Sequence, residues 1–315
     1  MKILGVSLGT RNGNNDAMCK EALIAAREMG AEVSFVHLMD WDIQDCSGCV
    51  ACSVGLVTGH GNVCTRKDEF DEFRSLMLDA DGILIVDPIF VCGGSGLFHT
   101  IMDRMGPRAD RGMNTVAHMM HIEKGTKDTD TRLLKDKVIS FIGIGGSDWA
   151  TAIQYDHSQF AMTPMWKIID NEKFAWSKNI IMDDEKVERV RQIGRNLVEA
   201  AADYEKASYQ GRKGICPHCH SVNFYLEEDS CDAICMGCGI EGKLTIEDGR
   251  MVFSFTEEAE KHAHDTMSGK FFHAEDIQKN EGLAIANRKS PKYKASRERI
   301  ASYHLNEILP PSKRK

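Results

Sequence analysis

The sequence predicts an α/β fold in which helices cover both faces of one doubly wound, five-stranded parallel sheet. Several apolar runs are continuous enough to be strands buried on both faces, and amphipathic segments with helical spacing lie between them. Because parallel neighbours need crossover connections, strands that alternate with helices are expected to form a single open sheet. The five predicted strands are residues 2–7, 32–37, 82–87, 138–144 and 174–181.

Helical spacing of apolar residues is present in four segments that separate or follow these strands. The predicted helices are residues 16–29, 68–79, 97–104 and 183–209. Ligands of such sheets bind outside the carboxyl ends of the strands. The loops that follow the strands are therefore the first candidates for a functional site.

Composition narrows the class of protein. The chain of 315 residues has room for one large domain and a smaller module, and its hydrophobic content of 42% is ordinary for a globular protein. The net charge of −8 argues against nucleic acid as the main partner. No apolar run is long enough for a membrane span, and no cleavage-type region follows the N-terminus. We expect a cytoplasmic protein whose 11 cysteines serve as metal ligands or catalytic groups.

Four cysteines lie close together after the second predicted strand. They are Cys46, Cys49, Cys52 and Cys64. Soft thiolate ligands at short spacing suit an iron–sulfur cluster, and we expect a [4Fe–4S] centre here. The stretch before the last cysteine is long, but a longer loop costs little additional closure entropy. The alternative is a set of buried or redox-labile thiols without a cluster.

A second cysteine group predicts a small metal-binding domain at residues 211–255. Two Cys-x-x-Cys pairs, Cys216 with Cys219 and Cys235 with Cys238, are separated by fifteen residues. This spacing is typical of a tetrahedral zinc ribbon, with a rubredoxin-like iron as the alternative. So small a domain would scarcely fold without the metal. Its acidic residues outnumber its basic ones, which favours a structural or protein-docking role over phosphate binding.

Two loops at the predicted strand ends suit different parts of a flat, phosphorylated cofactor. The loop at residues 7–15 offers hydroxyls, amides, glycines and an arginine, as a phosphate at a helix N-terminus requires. The alternative is a polar turn in which Asn15 caps the helix. In residues 87–96 an aromatic side chain is followed by glycines, which let the backbone approach a ring.

These motifs also occur in an order that identifies a family. Residues 7–15, the cysteines with Asp68-Glu69-Phe70 behind them, and residues 80–82, 88–90 and 101–104 follow one another along the chain. In this order, residues 1 to 205 resemble the flavodoxin-like NAD(P)H-dependent FMN reductases, and most of all the iron–sulfur flavoproteins. The resemblance implies a flavodoxin-like sheet, bound FMN and NAD(P)H as a donor.

The resemblance also implies which residues contact FMN. The expected phosphate contacts are Ser7, Gly9, Thr10, Arg11, Asn15 and Asp16. The expected contacts of the isoalloxazine ring are Pro88, Ile89, Phe90, Val91 and Gly93, with Gly143, Gly145, Gly146 and Trp149 from a third loop. Gly9 and Thr10 stand where the family usually has serine and proline, which shifts the expected contact toward backbone amides. Phe90 stands where a tyrosine is common.

Residues 105–137 form a long predicted connection between the third helix and the fourth strand. Long loops in compact domains commonly act as lids or binding loops. The segment contains four candidate catalytic residues, Arg108, Arg111, His118 and His121. Histidines can protonate a reduced substrate and arginines can hold its carboxylate or phosphate. The alternative is that these are ordinary surface or core residues.

The sequence thus divides into a predicted FMN domain at residues 1–210, the metal domain at 211–255, and a C-terminal arm at 256–315. The last thirty residues contain nine basic residues against two acidic ones. Such a tail favours contact with an acidic surface, and we expect it to clasp a neighbouring subunit of a homodimer or homotetramer.

Three functions are compatible with these features. The first is an FMN-dependent oxidoreductase that reduces a small organic acceptor with electrons from NAD(P)H or an iron–sulfur carrier. The second is an electron-transfer flavoprotein working between ferredoxin-like carriers, and the third is a non-enzymatic redox sensor. The first is favoured because the long connection and the additional domains exceed what flavin shuttling alone needs.

Overall fold

The computed structural model describes residues 1–305, 308 and 310–313. The chain divides into a first unit, residues 1–273, and a second unit that begins at Ala274. Each unit is described by itself. Glu307, Arg314 and Lys315 of the basic tail lie outside the described residues.

A five-stranded parallel sheet forms the centre of the first unit. Its strands pair in the order β2-β1-β3-β4-β5, which confirms the predicted flavodoxin-like sheet. The inner strands are buried along nearly their whole length, which explains their continuous apolar sequences. The strands are β1 Lys2–Ser7, β2 Glu32–His37, β3 Gly82–Pro88, β4 Val138–Ile144 and β5 Lys167–Phe174.

The fifth strand was placed too late by the sequence, at residues 174–181 instead of Lys167–Phe174. The true strand was missed because it contains polar residues. Asp170 on this strand is fully buried and accepts hydrogen bonds from Arg189 and Asn196. These hydrogen bonds compensate for the burial of its carboxylate, so the strand is buried without being apolar throughout. The apolar run that was predicted as a strand forms turns, and Trp176 there adopts a positive φ of 54°.

Helices cover both faces of the sheet. Helices α1 and α7 pack on one face, and α3, α4 and α6 pack on the other. The helices of this part are α1 Asn14–Glu28, α2 Ala51–Val57, α3 Phe70–Asp79, α4 Gly96–Ala109, α5 Arg111–Lys124, α6 Ile153–Met162 and α7 Asp184–Ala202. The sequence missed α2, α5 and α6 and extended α7 too far.

The segment at residues 105–137 is largely helical, so the prediction of a long loop was wrong. Helix α4 continues through a kink at Gly106 and Pro107, and α5 follows almost at once. The side chain of Asp110 caps α5 by accepting a hydrogen bond from the amide of Met113. The Gly-Pro pair hid this helix pair because both residues normally end a helix.

The predicted metal domain contains a four-stranded antiparallel sheet with the order β6-β7-β8-β9. Its strands are β6 Phe224–Leu226, β7 Asp232–Cys235, β8 Glu241–Glu247 and β9 Arg250–Ser254. It packs beside α6, where the side-chain amide of Gln159 donates to the carbonyls of Met236 and Gly237. The domain boundaries given by the sequence stay predictions.

In the described part of the chain, three α-helices follow the ribbon, namely α8 Glu257–Lys261, α9 Met267–Arg288 and α10 Pro291–Ala301. The start of α9 is fixed by a buried ion pair between Lys270 and Asp110, whose Nζ and Oδ2 atoms lie 2.9 Å apart. None of the described helices is both long and apolar enough to cross a bilayer. That residues 256–315 clasp a second copy stays a prediction.

Two glycines within helices predict opposite effects of the same substitution. In α7, a Cβ atom on Gly194 would lie 2.1 Å from the carbonyl oxygen of Ala22 in α1. Gly194→Ala should therefore destabilise the protein by about 1–3 kcal/mol or more, because the two helix backbones must separate. We expect a lower Tm in thermal unfolding followed by circular dichroism.

The matched control is Gly282→Ala in α9, where the added Cβ meets no atom within 4 Å. There alanine should raise helix stability by about 1 kcal/mol through its better helix propensity. An unchanged Tm for the Gly194 variant would show that α1 and α7 are not in backbone contact.

Candidate functional site

Three loops meet at the carboxyl edge of the sheet. They follow β1, β3 and β4, which are neighbours in the strand order. The amide of Leu8 donates to the carbonyl of Val86 over 3.0 Å, and the amide of Ile89 donates to Ile144 over 2.9 Å. From β1 the chain passes to β2 on one side of β1, and from β2 it returns to β3 on the other side of β1. The direction of strand addition therefore reverses at β1, and ligands of such sheets bind at this point.

The loop after β1 fits a phosphate group. Helix α1 begins at Asn14 without a side-chain cap, so its first amides are free to face a ligand. Asn15 is buried, and its Nδ2 atom has no hydrogen-bond partner within the described part of the chain. A Cβ on Gly9 would lie 2.6 Å from the Cβ of Asn15, so only glycine lets the loop lie this close to the helix. The alternative in which Asn15 caps α1 is wrong.

The side chain of Asp16 holds this loop in place through hydrogen bonds. Its buried carboxylate accepts hydrogen bonds from the Ser7 hydroxyl, 2.6 Å away, and from the amide of Asn12 at 2.7 Å. His37, at the end of β2, contacts the same carboxylate at 2.9 Å. Burial alone would raise the pKa of Asp16, but the bonds from Ser7, Asn12 and His37 leave that pKa lowered. The contact of His37 with this loop was not predicted from the sequence, because it depends on the pairing of β2 with β1.

The exposed side of the same loop contains Thr10 and Arg11. The Arg11 guanidinium forms an ion pair with Asp40, which follows β2 in a short turn. Both side chains are more than half exposed. Arg11 is therefore held near the loop while staying accessible to an anionic ligand.

The loop after β3 is a tight, strained turn. Phe90 and Gly93 exchange two backbone hydrogen bonds of 3.0 Å, and between them Val91 and Cys92 adopt positive φ angles of 46° and 63°. A β-branched residue such as valine rarely adopts this conformation. The carboxylate of Asp156 fixes the turn by accepting the amide of Gly94 over 2.7 Å. Helix α6, through Asp156, thus stabilises the strained turn at the edge of the sheet.

Three exposed aromatic side chains lie in the loops of this edge. Phe90 is 60% exposed, Trp149 after β4 is 62% exposed, and Trp176 after β5 is 68% exposed. The last two loops are joined because the amide of Ser177 donates to Gly145. Such exposed apolar groups are typical of a surface that binds a ligand or partner. The sequence missed Trp176 because it assigned that residue to a strand.

A buried polar pair lies beneath the turn after β3. Asp87 and His157 are both fully buried, and the Nε2 atom of His157 lies 3.9 Å from Oδ2 of Asp87. The His157 ring stacks on Phe141, with 4.7 Å between ring centroids, and its Nδ1 contacts Asn171. Oδ2 of Asp87 accepts the amide of Ser95, so this pair also helps to hold the loop.

The first cysteine group comes together around one cavity. Cys46, Cys49, Cys52 and Cys64 all line it. The first part of the long gap before Cys64 is helical, because α2 begins at Ala51 inside the motif and ends at Val57. A hydrogen bond with the Thr65 hydroxyl lowers the pKa of Cys49 to about 7, which favours a thiolate ligand. Burial raises the pKa of Cys52 in the same group. Four cysteines around one cavity are the type of donor set that an iron–sulfur cluster uses.

A buried ion pair supports this cavity. The side chains of Arg104 and Asp68 are 2% and 1% exposed, and Nη2 of Arg104 lies 3.0 Å from Oδ1 of Asp68. The same Nη2 atom lies 3.7 Å from the sulfur of Cys64. The Arg104 hydrogen bond lowers the pKa of Asp68 to about 2, with a further contribution from the amide of Gln44.

The second cysteine group has the dimensions of a site for a single ion. The four sulfur atoms of Cys216, Cys219, Cys235 and Cys238 all lie within 4.8 Å of one another. The sulfurs of Cys216 and Cys238 are 3.9 Å apart, and those of Cys219 and Cys235 are 3.5 Å apart. Four sulfurs bound tetrahedrally at about 2.3 Å from one ion are separated by about 3.8 Å. The group can therefore hold a metal ion.

The candidate catalytic residues have partners in α5 and its surroundings. His118 contacts Asp128 at 2.9 Å, and His121 donates to the carbonyl of Thr126 at 2.6 Å. Arg111 contacts Asp136 at 3.1 Å. Arg108 lines the cysteine cavity. These contacts hold α5 and its flanking turns in place, and a catalytic role for the four residues stays a prediction.

The comparisons with known proteins agree with this geometry. The profile of the NADPH-dependent FMN reductase family matches residues 1–179, more than half of the chain. The chain belongs to this family. Within it, the chain is 28% identical over 215 residues to an iron–sulfur flavoprotein of Methanocaldococcus jannaschii, which covers 63% of this chain and 96% of that protein.

Two further relatives cover most of the chain. A flavone synthase of Aspergillus candidus is 26% identical over 296 residues, which is 88% of this chain and 89% of that protein. A solved structure of a flavone reductase superposes with a TM-score of 0.88 and 48% identity, over 98% of this chain and 100% of that chain. The likeness to the reductase therefore includes the ribbon and extends beyond the family's FMN-binding region.

The Asp68–Arg104 pair predicts a dependence of stability on pH. The pKa of Asp68 is about 2 in the folded protein and about 3.9 in an unfolded chain. The ionised carboxylate thus contributes stability that is complete above pH 4 and is lost as the pH falls toward 2, on the order of 2 kcal/mol. Asp68→Asn should remove this contribution and, by leaving Arg104 buried without a counterion, cost about 3–5 kcal/mol at neutral pH.

Urea unfolding at a series of pH values measures both effects. The control is Asp232→Asn, which removes an exposed carboxylate paired with Lys243 and should change little. Equal stability of the Asp68 variant and the wild type at pH 7 would show that this ion pair is not important for the fold.

Proposed function

We propose that this protein is an FMN-dependent reductase that transfers electrons from NAD(P)H to a flat acceptor of the flavone class. The observation that carries the proposal is the 48% identity and TM-score of 0.88 to a flavone reductase over nearly the whole of both chains. The flavone synthase that matches 88% of the chain supports the same class of substrate. The exposed aromatic side chains at the sheet edge supply surfaces on which planar rings can stack.

FMN would be held by the three loops at the carboxyl edge. Its phosphate would face the start of α1, with Ser7, Gly9, Thr10, Arg11 and Asn15 around it and Asp16 acting through the shape of the loop. The ring would lie between the strained turn, formed by Pro88, Ile89, Phe90, Val91 and Gly93, and the glycine loop of Gly143, Gly145 and Gly146 with Trp149. When bound, FMN supplies hydride or single-electron transfer.

The protein's part in the reaction is positioning and exclusion of water. Phe90, Trp149 and Trp176 would stack on the acceptor, and the rigid turn at Val91 and Cys92 would fix the distance between backbone and ring. A flavone contains a carbon–carbon double bond conjugated with a ring carbonyl. The net reaction consumes NAD(P)H and a proton, and adds two hydrogens across that bond.

A second candidate function is electron transfer between protein carriers. The four cysteines around one cavity and the iron–sulfur flavoprotein relatives favour it. In this case Cys46, Cys49, Cys52 and Cys64 would hold a [4Fe–4S] cluster, which would supply single-electron chemistry toward a ferredoxin-like partner. A requirement for reduced ferredoxin in place of NAD(P)H would favour this function over the first.

For the ribbon we propose a structural zinc ion on Cys216, Cys219, Cys235 and Cys238. Three of these cysteines are buried in the small core of the ribbon, with Ile240 and Phe253. A closed set of four thiolates has no open position for a substrate, which is typical of a structural site. Iron in the same position is the alternative.

The flavone proposal predicts measurable turnover. Anaerobic protein loaded with FMN should convert unsubstituted flavone to a product two hydrogens heavier with NADPH or NADH as donor, measured by mass spectrometry. Trp149→Ala should raise KM for flavone roughly 2–13-fold, the equivalent of an aromatic stacking contact of about 0.5–1.5 kcal/mol. The matched control is Tyr225→Ala, an equally exposed aromatic residue on the ribbon, which should leave KM unchanged. A colourless protein that takes up no added FMN would contradict the proposal.

The zinc proposal predicts one zinc ion per chain by elemental analysis. Cys238→Ser should lose the metal and unfold the ribbon, seen as a lower Tm and faster proteolysis of the region around residues 214–255, because metal binding supplies the folding free energy of such domains. Cys231→Ser, at an exposed cysteine outside the cluster, is the control and should keep zinc and Tm. Stoichiometric iron with a red colour in place of zinc would refute zinc.

A further inference from the structure

We propose that Arg104 and Arg108 form a cationic wall that stabilises the reduced state of an iron–sulfur cluster on Cys46, Cys49, Cys52 and Cys64. This inference rests on the cluster named under the second candidate function, and not on the flavone chemistry. The two arginines are tuning residues, since they would act on the cluster through charge and hydrogen bonds and would not be ligands.

Arg104 presents its guanidinium to the cysteines. Its side chain is 2% exposed, lines the cysteine cavity, and places Nη2 3.7 Å from the sulfur of Cys64. Asp68 binds two of its nitrogens, and the carbonyl of Gln44 accepts a further hydrogen bond. Its Nε atom is buried and has no hydrogen-bond partner among the described residues. The guanidinium is thus fixed in place with donor capacity left over.

Arg108 lies four residues further along α4, beyond the kink, and lines the same cavity. Its side chain is 4% exposed, and its Nη2 pairs with Asp71 over 2.5 Å while Nε contacts Asn62 at 3.3 Å. The remaining nitrogen, Nη1, is buried without a partner in the part of the chain that the structure describes. A buried guanidinium nitrogen left without an acceptor is costly, so an anionic group in the cavity would supply what is missing.

The kink in α4 is what brings both arginines to the cavity. Gly106 breaks the helical conformation between them, with φ 13° and ψ −131°, and Pro107 after it lines the same cavity. The ring of Phe70 packs beneath the Arg104 guanidinium at 4.5 Å and beside that of Arg108 at 5.8 Å. The kink and the packing on Phe70 therefore place the guanidinium groups of Arg104 and Arg108 at the cavity that the four cysteines line.

The charges around the cavity decide the sign of the effect. Arg66, Arg104 and Arg108 line it, and Asp103 is the carboxylate among its lining residues. The partner of Arg108, Asp71, is 60% exposed, so solvent screens its charge more than that of the buried arginine. A cluster held by four thiolates is negatively charged and becomes more negative on reduction. Cations and hydrogen-bond donors at its sulfurs therefore favour the reduced form and raise its reduction potential.

The test is a reduction potential, measured on the full chain after anaerobic purification with FMN and reconstitution with iron and sulfide. Arg108→Gln keeps the size and polarity of the side chain but removes the charge. We expect the equilibrium between reduced and oxidised cluster to shift about tenfold toward the oxidised form, which is about 59 mV for one electron. Arg108→Lys, which keeps the charge, should shift it less than threefold.

The matched control is Arg191→Gln on α7, where the arginine pairs with Glu21 and Glu28 on the other face of the sheet. It should leave the potential unchanged. Arg104→Lys provides a second variant if Arg108→Gln does not fold, because it keeps a counterion for Asp68 while removing the planar contact with Cys64. A shift toward the oxidised form in this variant also supports the wall.

Two results would overturn the inference. One is wild-type protein without stoichiometric sulfide after reconstitution, which removes the cluster itself. The other is a fully loaded Arg108→Gln protein with the wild-type potential. Flavone turnover is measured separately with NADPH, so a failure of the proposed reductase activity and a failure of the arginine wall are distinguishable.

Discussion

The pairing of β3 with one side of β1, while β2 pairs with the other, is the constraint on which the rest of the structure depends. Because of this arrangement, strand β2 is added on one side of β1 and strands β3 to β5 are added on the other. The loops after β1, β3 and β4 therefore open at one edge. Beside them lie the strained turn at Val91 and the side-chain amide of Asn15, which has no partner among the described residues. The cysteine loop follows β2 at the same edge of the sheet.

Buried charge is the second organising feature of the first unit. Asp68 with Arg104 supports the cysteine loop, Asp110 with Lys270 fixes the first turn of α9, and Asp170 with Arg189 joins β5 to α7. Each pair connects segments far apart in the chain. Removing one partner of such a pair leaves an uncompensated charge in a medium of low polarity, which is strongly destabilising. The fold is thus held at three points where loops and helices change direction.

Much of this organisation follows from the sequence alone. Four strands, the sheet that they form and both cysteine groups were predictable, because apolar runs and ligand spacing are local properties. Strand β5 was not, since Asp170 is buried through partners on α7 that only the fold supplies. Helix α5 was hidden by Gly106 and Pro107, and Trp176 by the misplaced strand. No local pattern places Arg104, 40 residues from Cys64, beside that thiol.

The exposed aromatic side chains at the sheet edge have an evolutionary consequence. Phe90, Trp149 and Trp176 contribute nothing to the two large hydrophobic clusters on either side of the sheet. Replacing them therefore changes the exposed surface of this edge at little cost in folding free energy. Relatives can diverge in the molecules that they accept, and in the direction in which they work, while the sheet and its loops stay intact. This chain is similar both to a protein named a flavone reductase and to one named a flavone synthase. Such a range of names is expected where the fold is kept and the exposed residues of the edge vary.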